Sequence, residues 1–334
     1  MKWINDVVFA ILAAHVWGSL MLFVWLQAVK RLENKGYTRL LFYLLRAVIV
    51  AYLLPLGLGA VLIISEIIEV DARLFQTTPV MTMICQLLFI LWILGFFANF
   101  ESLQEKWDMT RHCFSDALPA SRERQLRFQE ICRQTKMRSG RVILCEKAGI
   151  RCGGITVGVI HPRIVLPEGK TDEFVERVTM IHELVHYTRK DIWFLTAAKV
   201  VEAIHWFNPW TRGLAAQMSQ WNEYACDWKV CNKYLRNIKS YLEVLYRVSM
   251  QGQEDKTDMY SSIGTQPMKL IGRMEKMINM KNAMKKPKIF GVLAAVAVSF
   301  TSAGSVLAST GILAGGYQAL YELTDVEEDE AGIQ

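Results

Sequence analysis

The chain has 334 residues, 52% of them hydrophobic, with a mean hydropathy of +0.19 and a formal net charge of +6. This is unusually apolar for a soluble protein, and the modest positive charge suits a membrane protein with its bases on the inner side, so it makes no case for nucleic acid as a direct partner. The seven cysteines form no C-x-x-C pair, there is no Gly-rich phosphate loop, and no long period repeats, which excludes zinc-finger, nucleotide-binding and repeat architectures.

Four stretches approach or exceed the roughly 20 apolar residues that a bilayer crossing requires: 7–26, 40–64, 80–97 and 289–313. The first is too long for a cleavable signal peptide and is followed by a basic segment; His15 within it is expected to pack or hydrogen-bond. Lys30, Arg31, Lys35 and Arg39 place the first loop in the cytosol, whereas Glu66, Glu69 and Asp71 against a single Arg73 suit the outside. Lys281, Lys285, Lys286 and Lys288 abut the fourth span on its inner side, and Glu327 to Glu330 end the chain outside. The expected layout is three spans in 1–100, a cytosolic domain in 101–287, a fourth span in 288–313 and a short acidic tail in 314–334, with both termini outside. Arg46 lies in the second span near its cytosolic end, where it must either pair or snorkel, and snorkelling towards lipid phosphate is the expected outcome. Pro55, Gly57 and Gly59 suit a kink or a close helix contact.

In the soluble segment, Arg122, Arg124, Arg127 and Arg133 alternate with Leu126, Phe128 and Ile131, predicting an amphipathic helix that faces solvent or anionic lipid. Residues 141–145 and 155–159 are β-prone and separated by glycines. They predict a small sheet, with the second run either an edge strand to which a substrate peptide adds or part of a core hairpin. His161, beside Pro162, reads as a turn residue.

Thr171 is the expected N-cap of the next helix, with Asp172 and Glu173 in its first turn. Phe174, Val178, Ile181, Leu184 and Val185 give that helix a buried face, and it contains His182-Glu183-Leu184-Val185-His186. Histidines four apart share a helix face, so both imidazoles can address one Zn²⁺, and Glu183 beside them can take the proton of the attacking water. The run Trp206-Phe207-Asn208-Pro209 breaks the helix that follows Asp191, and a new helix is expected from Trp210 to about Lys233. Glu223 and Asp227 share a face of it; an antiparallel return brings Glu223 back as the third ligand, with Asp227 holding a histidine ring. Asp191 is expected to orient the other histidine or to cap its helix, and His205 to lie near the cleft. Residues 237–250 and 261–281 predict two closing helices. The cysteines are read as reduced, small buried residues.

The segments His182 to Asp191, Trp206 to Pro209 and Asn222 to Asp227 resemble the BlaR/MecR-type membrane metallopeptidases, as does the strand-and-turn segment Gly158 to Pro167. The resemblance implies four transmembrane helices with a cytosolic α+β zincin-like domain of the gluzincin kind. It assigns His182, His186 and Glu223 to zinc, Glu183 to the base and Asp227 to a supporting place. It further implies a bacterial plasma-membrane protease in antibiotic sensing that acts on a winged-helix repressor. Full receptors of that type carry a large penicillin-binding domain after the last span; about twenty residues follow here, so an external signal is expected to enter through a partner or through the spans. Two other functions suit parts of the sequence. One is an HtpX-type quality-control protease, which places two spans on each side of the motif; the other is a non-catalytic metal-stabilised scaffold, which has no need of Glu183.

Overall fold

The computed structural model describes residues 2–54, 79–150, 153–169, 171–252 and 267–283, and within them the chain is mostly helical. Helix α1 (Lys2–Leu32) leads through a 3-10 turn and Gly36 to α2 (Thr38–Leu53), and α3 (Pro79–Cys113) follows. Two helical stretches are long and apolar enough to cross a membrane, Ala10–Leu32 and Thr82–Cys113. The outward side chains of α3, among them Leu87, Leu91, Leu94 and Phe97, are exposed and apolar, as a lipid-facing surface requires. The predicted 40–64 span is described only as far as residue 54. Pro55, Gly57, Gly59, the 289–313 span and the acidic tail lie outside the described residues.

A four-stranded sheet comes next, built from β1 (Leu118–Pro119), β2 (Ile143–Lys147), β3 (Ile155–Val157) and β4 (Arg163–Pro167) in the order β1-β2-β4-β3. The two predicted β-runs are therefore not neighbours. β4 lies between them, parallel to β2 with Cys145 opposite Val165 and antiparallel to β3 with Thr156 opposite Ile164. This leaves β3 at an edge of the sheet. Helix α4 (Arg122–Thr135) packs through Phe128 and Ile131, and its Arg124 is buried, donating to Glu176 at 3.0 Å and to the Pro167 and Gly169 carbonyls. One arginine of the predicted solvent or lipid face is thus structural.

Helix α5 (Glu173–Thr188) carries the His-Glu-x-x-His residues. Its N-cap is Asp172, one residue beyond the expected Thr171; the Asp172 carboxylate accepts from the amides of Phe174 and Val175. A carboxylate in that place both caps the helix and complements its dipole. Residues Val178 to His186 are all buried, with α5 lying against β4 and β3 in a core that includes Ile164, Leu166, Ile181 and Leu184. Gly154 permits this approach, because a Cβ there would come within 2.8 Å of Thr179 and 3.2 Å of the Glu183 side chain.

Helix α6 (Asp191–Ile204) ends at a docking loop. Asn208 accepts from the Trp210 amide at 2.8 Å and donates to Ser19 Oγ of α1 at 3.1 Å, and His205 Nε2 meets the Tyr52 carbonyl of α2 at 3.1 Å. Trp206 Nε1 donates to the Trp92 carbonyl of α3 while Trp92 Nε1 donates to the Ile204 carbonyl, and the Trp206 ring fills the space that a side chain at Gly95 would need. His205, expected near the cleft, is fully buried against α2 instead, with the rings of Tyr52, His15 and Phe207 around it. Turns continue to Gly213, so α7 runs Leu214–Lys229, shorter at both ends than expected, and a π-helical turn (Val230–Leu235) completes it. Helices α8 (Ile238–Gly252) and α9 (Pro267–Ala283) follow. A second core joins Trp25, Leu41, Leu45 and Ile49 of α1 and α2 to Val201, Met218 and Trp221 of α6 and α7.

Candidate metal centre

Helices α5 and α7 bring three donor groups to one point. His182 Nε2 and His186 Nε2 are 2.9 Å apart, Glu223 Oε2 is 3.5 Å from the first, and Glu223 Oε1 is 3.4 Å from the second. All three side chains are buried.

The opposite nitrogen of each ring is already committed. His182 Nδ1 lies 2.9 Å from Tyr241 Oη, and that hydroxyl donates onward to Asp227 Oδ1 at 2.7 Å. His186 Nδ1 lies 2.7 Å from Asp191 Oδ2. With Tyr241 using its hydrogen on Asp227, His182 must donate from Nδ1, and the carboxylate of Asp191 demands the same of His186. Both Nε2 atoms then turn lone pairs towards the same spot. Two ring nitrogens this close require a cation between them, a proton or a metal ion, and Glu223 Oε2, buried and ion-paired with Arg273 but without a hydrogen bond, adds an anionic donor. Two imidazole nitrogens and one carboxylate make a donor set that suits Zn²⁺. The residues fit a zinc ion.

Asp227 does not hydrogen-bond a histidine itself; its Oδ1 is 3.9 Å from His182 Nδ1, with the Tyr241 hydroxyl between them. Its other partner is Arg273 of α9, whose Nε and Nη2 meet the two carboxylate oxygens at 2.9 and 2.6 Å, while Nη1 lies 3.1 Å from Glu223 Oε2. One guanidinium thus balances two buried acids. Tyr241 and Arg273 were missed in the sequence because neither belongs to a motif and both come from the closing helices. Thr156, on edge strand β3, was missed too: its Oγ1 donates to Glu183 Oε2 at 2.7 Å. Cys226, read as a small buried residue, is within 3.5 Å of His182 Nδ1 and could join His182 and His186 as a donor group. That contact is on the nitrogen already engaged by Tyr241, which favours Glu223 as the third ligand.

Charge in this cluster is tightly balanced. Burial alone would lower the pKa of His182, but the Cys226 sulfur and the Glu223 carboxylate more than offset it and hold it at about 10. His186 is likewise held well above its usual value, against burial, by Cys226, Glu223 and Asp191. Burial would raise the pKa of Glu223, yet Arg273 and the two imidazoles keep its carboxyl far below the usual range. A raised histidine pKa means that protons compete with metal over neutral pH. Zinc affinity should therefore fall as pH drops and rise as pH increases towards 10, by roughly one to two decades per pH unit if one or two protons leave. Chelator competition at several pH values between about 6 and 8 measures this slope, and a flat response would show that the imidazoles carry no competing proton.

Beside His186 a cleft of about 430 Å³ opens between β3 and the start of α6, lined by Arg138, Arg141, Thr156, Lys190 and Trp193 among others. The BlaR1 peptidase M56 family model matches residues 7–278. The regulatory protein BlaR1 of Bacillus licheniformis is 28% identical over 168 residues, which takes in 46% of this chain but 27% of that protein.

Proposed function

The chain belongs to the BlaR1 peptidase M56 family, and from that premise we propose that it is an integral membrane zinc endopeptidase of the zincin-like, gluzincin kind with its catalytic segment facing the cytosol. The observation that carries the reading is the convergence of His182 Nε2, His186 Nε2 and the Glu223 carboxylate beside Glu183. Bound zinc would supply Lewis-acid polarisation of the scissile carbonyl and of the attacking water.

The chain's own residues do the rest. Glu183 takes the water's proton and returns it to the leaving amine. Thr156 occupies one Glu183 oxygen and leaves the other for that proton. Because Thr156 belongs to edge strand β3, a substrate peptide added along β3 runs past the base. Tyr241 and Asp191 hold the two imidazoles by Nδ1, and Arg273 keeps Glu223 an anion while bonding both carboxylate oxygens of Asp227. A cytosolic repressor, or the chain itself, is the proposed substrate, in a signalling response of the antibiotic-sensing type; an extracytoplasmic sensor partner would supply the trigger. Retention of Glu183 with a full donor set argues against a purely structural scaffold. Membranes carrying the chain should generate new protein N termini, lose that activity on chelation and regain it with added Zn²⁺. Unchanged N termini would overturn the peptidase reading.

The proposed four-span layout is checked by cysteine labelling, with native cysteines removed and single reporters at Asn34, Gln76 and Ile333. External reagent should reach the last two and miss Asn34. The reverse pattern would put the cleft outside the cytosol and exclude a repressor as substrate.

A further inference from the structure

Arg46 does not snorkel to lipid. Its side chain is 11% exposed, and its Nη2 lies 2.5 Å from Asp191 Oδ1 while Nη1 donates to the Arg189 carbonyl at 3.0 Å. The flat guanidinium is held between the rings of Phe42 and Phe194, 4.2 and 4.1 Å from their centroids. Asp191 is itself buried, and its second oxygen is the partner of His186 Nδ1 at 2.7 Å. A continuous chain of contacts thus runs from the middle of α2 through Asp191 to a donor of the candidate metal centre.

We propose that Arg46 is a positioning residue for the metal site, fixing through Asp191 the rotation and tautomer of His186. The inference rests on the reading of His182, His186 and Glu223 as the ligands. An Asp with one oxygen locked by a bidentate-capable, aromatically clamped cation has its other oxygen fixed in place, and the imidazole bonded to it inherits that orientation. Partners of this outlying kind commonly contribute about 10–100-fold to metal affinity. Arginine suits the task because its planar fork meets Asp191 and the Arg189 carbonyl at once, which a lysine ammonium cannot reproduce. Arg189 Nε, 3.4 Å from the same Asp191 oxygen, is a weaker second cation, so Asp191 keeps a counter-charge when Arg46 is removed.

The test measures zinc affinity of the full chain in detergent by chelator competition. Arg46→Met should weaken zinc binding roughly tenfold or more, and Arg46→Lys should recover part of it. Asp191→Asn should weaken it as well, and the double variant should lose no more than Asp191→Asn alone, because both act on the same imidazole. Leu45→Ala is the control for packing: Leu45 is fully buried on the same helix, so its loss should lower the melting temperature and leave zinc affinity unchanged. Wild-type affinity in Arg46→Met, additive losses in the double variant, or an equal loss in Leu45→Ala would each overturn the proposal. His182→Ala separates it from the reading beneath it. If His182→Ala retains zinc, both fail; if it loses zinc while Arg46→Met does not, the role of Arg46 fails alone.

Discussion

Glu183→Gln is expected to retain zinc and lose hydrolysis, with kcat down by about 10²–10⁴-fold. The glutamine amide has the shape of the carboxylate and keeps an oxygen to accept the hydrogen of Thr156, which now lies 2.7 Å from Glu183 Oε2. It cannot accept the water's proton. The side chain is buried, 3% exposed, and sits beside the proposed ligand His182 without belonging to the converging donors, so metal content should be unaltered. Zinc analysis and the rate of substrate cleavage, or of self-cleavage, are read on the same sample. Cleavage at the wild-type rate would remove Glu183 from the role of base. Loss of zinc together with activity would make it a ligand.

His182→Ala and Glu223→Ala should each strip the zinc, with a fall in affinity beyond the ~10–100-fold that supporting partners give. Either substitution leaves two of the three converging donors, and a catalytic zinc needs three protein ligands with a further position open. Retained zinc in both variants would overturn the assignment. Retention in Glu223→Ala alone would turn attention to Cys226, which shares the cluster with the two histidines.

What could be read beforehand was local. Two histidines four apart, and Glu223 with Asp227 four apart, follow from helical periodicity, and the break at Asn208 and Pro209 signalled the return that brings α7 to α5. The residues that went unread reach the site over long separations. Tyr241 lies 59 residues from His182, Arg273 lies 46 from Asp227, and Arg46 is 145 from Asp191. None has a spacing rule, because pairing between distant elements leaves no local pattern. The insertion of β4 between β2 and β3 is of the same kind: the β-prone runs were visible, but strand order is decided by tertiary packing. Arg46 shows the physics plainly. By position it was a cation that had to pair or to reach for lipid phosphate, and a buried carboxylate from α6, invisible in the local sequence, supplied the pair. Even the near-miss at the N-cap has a cause, since Asp172 combines a capping oxygen with a full negative charge.

The Arg46–Asp191 pair also sets a clock on biosynthesis. The two residues are 145 apart in the chain, so at about 5–20 residues per second Asp191 leaves the ribosome some 7–30 s after Arg46. Through that interval α2 holds a cation whose carboxylate partner has not yet been made. The helix is therefore provisional until α6 docks. A nascent chain halted before Asp191 would present α2 unfinished, and its retention or clearance would depend on how long translation keeps the second half waiting.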